Sequence, residues 1–208
     1  MRSFILAGGN PPIPIELLQD FLSPSAKEFH VTVLTLYRQG WESYIKNKYI
    51  DTLKVIKECH FEIVLGDIEH EDSIIKKIRK ADLLIISGGN TLLYHKVYCS
   101  KVIKKTILTE YNRGLPIIGL SAGAIIMGDQ IVISPKDNPF GVPVYEKGLG
   151  IYNEFMIGVH YSNWNDKAHL EIAKKEKNYR TVYGMDDDSY ITFNEKAGYH
   201  FFGSIHVI

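Results

Sequence analysis

This chain lacks the usual marks of a secreted domain, a nucleic-acid binder and a membrane protein. Cysteine occurs twice in 208 residues, as Cys59 and Cys99. That is too few for the paired frameworks of small secreted domains, and both read as free, buried thiols in a reducing compartment. Neither sign of charge is in excess, with 24 Lys+Arg against 24 Asp+Glu. No overall field therefore draws the chain to nucleic acid or to an anionic membrane. Long hydrophobic runs are absent too. No stretch approaches the roughly 20 apolar residues of a membrane span, and the run at residues 4–7 is too short for a secretory leader. The expectation is a cytoplasmic protein with one domain over residues 1–208, whose 45% hydrophobic residues suffice for a buried core.

What is present is a rhythm of short apolar runs bounded by glycine or proline, at residues 4–7, 31–36, 61–65, 83–86 and 117–120. Continuous apolar runs of this length suit strands covered on both faces. Segments with helical spacing lie between them, at 15–22, 41–58, 72–80 and 92–112, and Gly114 follows the last as a helix stop. Strand alternating with helix predicts an α/β fold, a mostly parallel central sheet flanked by helices. After about Ser134 the pattern changes. Residues 134–145 carry Pro135, Pro139 and Pro143 and read as a long loop. Further strands are expected at 155–159, 181–184, 190–193 and 200–202, and a helix at 167–177.

The most informative stretch is Gly119-Leu120-Ser121-Ala122-Gly123, a match to the G-x-S-x-G pattern of a nucleophile elbow. In such an elbow the chain turns sharply from strand to helix at the serine, and small residues two positions away avoid collisions. The hydroxyl then stands above the strand end, and the next N–H, that of Ala122, faces a developing oxyanion. The context fits, with an apolar strand before and a small, apolar helix after. A tight Gly-Ser turn serving only helix–sheet packing is the alternative.

Two Gly-Gly-Asn turns follow other predicted strands. Ser87-Gly88-Gly89-Asn90-Thr91 can bind an anion or complete an oxyanion hole through backbone N–H groups. It can equally be a plain strand-to-helix connection capped by Thr91. Gly8-Gly9-Asn10 is the second. Both would lie with Ser121 on the edge of the sheet where ligands bind in open α/β folds. Neither matches a dinucleotide or phosphate-loop fingerprint.

An activated serine needs a general base. His160 ends the apolar run 155–159 and precedes a loop, Tyr161-Ser162-Asn163, so it can face the same edge as Ser121. His169, in a charged helix, reads as solvated. A carboxylate should fix the imidazole tautomer. The candidates are Asp137, in the proline-rich loop, and the Asp186-Asp187-Asp188 turn. Asp129 reads as exposed.

These residues resemble those of the serine peptidase family that includes dipeptidase E and cyanophycinase. The resemblance is carried by Ser87-Gly-Gly-Asn-Thr91, Gly119-Leu-Ser-Ala-Gly-Ala124, Gly158-Val-His160 and Gly184-Met-Asp-Asp-Asp188. It implies a fold like that of class I glutamine amidotransferases, with Ser121 as nucleophile and His160 as base. It offers two placements for the acid, Asp187 and Asp137, of which Asp187 aligns more clearly. Gly89 and Ala122 would supply the oxyanion N–H groups, with Gly88 and Asn90 as substrate-binding positions. The implied reaction is hydrolysis of short peptides, Asp-containing dipeptides among them, with no metal or organic cofactor. An esterase or amidase with the same triad, or a catalytically silent binding module, are the alternatives. A preference for aspartate would need a nearby cation, for which Arg113, Lys136 and Arg180 are available. The expected partner is a small peptide substrate, not nucleic acid or membrane, and a homodimer is compatible with the sequence.

Overall fold

The apolar runs of the first two thirds become β1 (Ser3–Ala7), β2 (His30–Thr35), β3 (His60–Leu65), β4 (Leu83–Ile86) and β5 (Ile117–Leu120). They lie parallel in the spatial order β1-β5-β4-β2-β3. The structure is a computed structural model and describes residues 1–9, 12–19 and 28–208. Asn10 and residues 20–22 of the expected first helix lie outside the described residues. The last third adds β6 (Gln130–Ile133), β7 (Val144–Lys147), β8 (Met156–Gly158), β9 (Val182–Met185), β10 (Tyr190–Asn194), β11 (Gly198–Phe202) and β12 (Ile205–Val207). Strand β10 runs antiparallel along the free side of β1, and β11 continues the sheet outward. Strands β12-β9-β8 and β6-β7 form two smaller sheets.

The helices are α1 (Ile15–Gln19), α2 (Trp41–Ile45), α3 (Asp51–Ile56), α4 (Glu71–Lys80), α5 (Thr91–Tyr98), α6 (Lys101–Arg113), α7 (Ala122–Ile126), α8 (Tyr161–Trp164) and α9 (Lys167–Glu176). Alternation along the strands sends neighbouring residues to opposite faces. Phe4 and Leu6, with Leu84 and Ile86, pack under α4–α7 in one core. Ile5 and Ala7, with Leu83 and Ile85, pack against Leu18 of α1, Ile45 of α2 and Leu53 of α3 in another. A mostly parallel sheet covered on both faces is the architecture that the alternating pattern predicts.

Several expectations need correction. The helix expected over 92–112 is two. Tyr98 and Ile103 are both buried, but five residues place them about 140° apart on a straight helix. The chain leaves the helix at Ser100 (ψ 148°) and restarts, so both stripes meet the sheet. Helix α6 ends as expected, with Gly114 in the left-handed region (φ 106°). The helix expected over 41–58 contains a π-helical turn, Lys46–Ile50, and stops at Ile56. Its buried residues Ile45, Tyr49 and Leu53 recur every four residues, and the wider turn absorbs the drift from a 3.6-residue period. The expected loop 134–145 holds a 3₁₀ turn, Pro135–Asp137, and the start of β7. Strands β6 and β12 were not expected. Residues 161–163, expected as loop, belong to α8.

Candidate active site

Strand β5 lies between β1 and β4, so the turns after all three strands share one edge. Ser121 follows β5 directly and α7 starts at the next residue. To turn there, Ser121 takes φ 49° and ψ −112°, a conformation that residues with a side chain avoid, at a cost of about 1–3 kcal/mol. Two backbone hydrogen bonds hold it: Ser121 N–H donates to the Ala7 carbonyl (3.0 Å), and Ile125 N–H to the Ser121 carbonyl (3.0 Å). Ile125 and Ile126 are buried beneath it. Each stabilises the fold by about 1.5–3 kcal/mol, so local packing outweighs the strain. The flanking glycines are steric requirements. A Cβ on Gly119 would lie 2.5 Å from Met127 Sδ, and one on Gly123 would run into the Ile86 carbonyl at the end of β4.

Ser121 Oγ is 2.9 Å from Nε2 of His160. His160 follows β8, in the left-handed region (φ 52°), and caps α8. On the far side of the ring, Nδ1 contacts Asp187 Oδ1. An ionised carboxylate only accepts, so Nδ1 carries the proton and Nε2 offers its lone pair to the serine hydroxyl. Asn163 Nδ2 donates to the other oxygen of Asp187 (2.5 Å), and the Trp164 ring tilts over the imidazole at 4.6 Å. Ser121 is 7% exposed and the His160 side chain 14%, which limits competition from water. This arrangement can take a proton from the hydroxyl and hold the resulting imidazolium.

The Gly8-Gly9 turn brings His160 and the Asp187 loop together. The Gly8 carbonyl accepts His160 N–H (3.1 Å), and Gly8 N–H donates to the Ser189 carbonyl (2.9 Å). Gly9 lies against the backbone of Asp187, where a Cβ would meet the Asp187 carbonyl oxygen at 2.7 Å. Asp186 braces the same loop. Its Oδ1 accepts Ser162 N–H (2.9 Å) and its Oδ2 lies 3.1 Å from His206 Nε2. Burial works to raise the Asp186 carboxyl, but the bonds from Ser162 and His206 outweigh it and leave it below its ordinary value.

Asp137 is bonded to a different partner. It ends the 3₁₀ turn after β6, and its Oδ2 accepts the Thr91 hydroxyl at the start of α5. Burial raises its carboxyl above the ordinary value, against the Thr91 hydrogen bonds and the nearby His160. With its hydroxyl engaged there, Thr91 is not the cap of α5. Asn90 is, its Oδ1 accepting Leu93 N–H (3.0 Å). Gly88 is buried, whereas Gly89 and Asn90 are exposed. Among the described residues no group accepts the Gly89 N–H. Ala122 is the first residue of α7, so its N–H has no intrahelical partner.

Lys136 stands on the His160 turn, its Nζ donating to the Trp164 carbonyl. Arg113 pairs with Glu110 (2.9 Å) at the end of α6 that leads into β5, the edge opposite Ser121. His169 is buried and paired with Asp166 (3.4 Å), not solvated as expected, because α9 turns it inward. Asp129, expected as exposed, is partly buried; the backbone bonds of its N–H to Tyr152 and of its carbonyl to Gly148 draw it in. Sequence reasoning missed Asn163 and Trp164, and it counted Asp186 only among the candidates for the orienting acid, not as a brace of the loop. Treating 161–164 as one helical turn would have placed Asn163 and Trp164 beside His160. Among the described residues no cluster of three or more His, Cys, Asp or Glu could hold a metal ion, and no helix is long and apolar enough to cross a membrane.

The chain resembles known proteins in sequence and in shape. Curated relatives named Peptidase E match it in part. The protein of Shewanella sp. (strain W3-18-1) is 34% identical over 107 residues, 51% of this chain and 44% of its own. That of Nostoc sp. (strain PCC 7120) is 27% identical over 151 residues, 70% and 57%. The chain thus spans about half the length of the curated relatives it matches. A crystal structure of a peptidase from an acI-B1 Actinobacterium superposes with a TM-score of 0.76 at 16% identity, covering 100% of this chain and 90% of that one. A candidate peptidase E from Listeria monocytogenes EGD-e superposes at 0.69 and 21% identity, covering 98% and 99%. Both share the fold. The model for peptidase family S51 matches residues 35–199, a span that takes in β3 through β10 with Ser121, His160 and Asp187. On that match the chain belongs to peptidase family S51.

Proposed function

We propose that residues 1–208 form a single α/β domain that acts as a serine peptidase on short peptides. Ser121 is the nucleophile on its elbow, His160 the general base and Asp187 the acid that orients it. Ser121 Oγ attacks the scissile carbonyl while His160 Nε2 takes its proton. The N–H groups of Ala122 and Gly89 stabilise the oxyanion. His160 then protonates the leaving amine, and water releases the acyl group by the same route in reverse. The observation that carries this reading is the 2.9 Å contact between Ser121 Oγ, on a strained turn, and His160 Nε2. A short peptide with an acidic residue suits the site, since Lys136 places a cation on the His160 turn.

A panel of dipeptides, Asp-led ones included, is to be assayed beside p-nitrophenyl esters with wild-type and Ser121→Ala protein. Peptide turnover is expected from the wild type, falling by about 10³-fold or more in the variant. Undiminished turnover by Ser121→Ala would remove Ser121 from the mechanism. Turnover of esters alone would favour the esterase reading, and no turnover together with no fluorophosphonate labelling of Ser121 would favour a silent binding module.

A further inference from the structure

Tyr94 is buried in α5 and takes no part in the chemistry described above, yet its hydroxyl sits at the centre of a hydrogen-bond cluster under the Gly88-Gly89 turn. It donates to the Gly88 carbonyl (3.1 Å) and lies 2.6 Å from Ser87 Oγ and 3.3 Å from Thr35 Oγ1. A phenol has one proton and two lone pairs. With its proton on the Gly88 carbonyl, it accepts from both hydroxyls, and all three groups are used. Tyr94 is 2% exposed, Thr35 1% and Ser87 0%, so water does not compete for these bonds.

A trans peptide fixes its carbonyl and the following N–H in opposite directions. Holding the Gly88 carbonyl inward on Tyr94 therefore sends the Gly89 N–H outward, to the exposed side of the turn. The ring supports the same peptide from below: a Cβ on Gly89 would lie 2.7 Å from Tyr94 Cε2. The turn in its place also adjoins the nucleophile. A Cβ on Gly123, in the first turn of α7, would lie 3.0 Å from the Ser87 carbonyl.

We propose that Tyr94 is a positioning residue for catalysis: its buried hydroxyl, shared with Ser87 and Thr35, locks the Gly88–Gly89 peptide so that the Gly89 N–H faces the oxyanion. This rests on the serine-hydrolase reading and extends it to a residue that touches no substrate. Losing the hydroxyl frees the peptide to rotate. The oxyanion then loses a fixed donor, while Ser121, His160 and their proton transfer stay as they were. Removal of a whole oxyanion donor costs about 10²–10³-fold in rate, so loosening one should cost about 10–100-fold.

The test is the pH dependence of Ser121 labelling by a fluorophosphonate, in which the Oγ–P bond forms, fluoride leaves and His160 takes the hydroxyl proton. Wild type, Tyr94→Phe and Ser121→Ala are compared, with thermal unfolding as the check on folding. The expected result is a plateau rate about 10–100-fold lower in Tyr94→Phe with an unchanged pH midpoint, and no labelling of Ser121→Ala. Should folded Tyr94→Phe label at the wild-type rate, or with a shifted midpoint, the positioning role is lost while the hydrolase reading stands. If the wild type does not label at all, the underlying reading fails first. Should Tyr94→Phe not fold, Ser87→Ala takes its place. It removes one partner and lets the phenol turn toward Thr35, so labelling should slow severalfold, and an unchanged rate would overturn the proposal.

Discussion

The two Gly-Gly turns beside Ser121 have the same dipeptide and opposite fates. After β1, Gly8 and Gly9 are buried, and the chain's last third closes over them. Gly8 spends its carbonyl on His160 and its N–H on Ser189. After β4, Gly88 gives its carbonyl to Tyr94, while Gly89 stays exposed with an N–H that no group among the described residues accepts. Both turns need glycine because something presses on them, the Asp186–Asp187 backbone in one case and the Tyr94 ring in the other. A Gly-Gly pair at a strand end thus signals close approach, and what approaches decides whether it becomes scaffold or binding surface.

The contrast can be broken most strongly on the β1 side. Asp187→Asn should leave the backbone fit at Gly9 intact while offering His160 Nδ1 the wrong partner. A fall in kcat/KM of about 10³–10⁴-fold is expected, with little change in unfolding midpoint; the same loss in Asp137→Asn instead would move the orienting role there. Gly9→Ala asks how much the scaffold matters. Its Cβ would press on the Asp187 backbone, so destabilisation of about 1–3 kcal/mol and a loss of about 10–100-fold in kcat are expected, measured by denaturant unfolding and steady-state kinetics. Wild-type behaviour would mean that the two loops are positioned by other contacts.

The smallest effect belongs to the β4 side, where Asp137 receives the Thr91 hydroxyl. Its carboxyl is raised above the ordinary 3.8 by burial, so the folded state holds the proton more tightly than the unfolded state. Stability is then lost as pH rises from below 3.8 through the folded value. In Asp137→Asn this loss should disappear, and the variant should gain on wild type as pH climbs through that window. A constant difference in unfolding free energy across the window would contradict the assignment.

The central sheet was legible because buried parallel strands are written as unbroken apolar runs, as in Leu83–Ile86. Ser121 and His160 were legible because each sits where such a run ends. The break between α5 and α6 was not, since neither glycine nor proline marks Ser100 and only the angular mismatch of Tyr98 with Ile103 betrays it. Nor was the work of Gly8 and Gly9, which depends on contacts with residues more than 150 positions away. The Tyr94 cluster was hidden for a related reason: an aromatic on an apolar helix face looks like core until its hydroxyl is seen to have partners.

The carbonyl and N–H of Gly8 are also a mechanical datum. One is bolted to the loop with the imidazole and the other to the loop with the carboxylate. When β1 shifts as a body, both loops ride with it, so their mutual alignment is buffered against breathing of the sheet. Because Ala7 also receives the Ser121 N–H, three distant stretches of chain share one mount, two residues long.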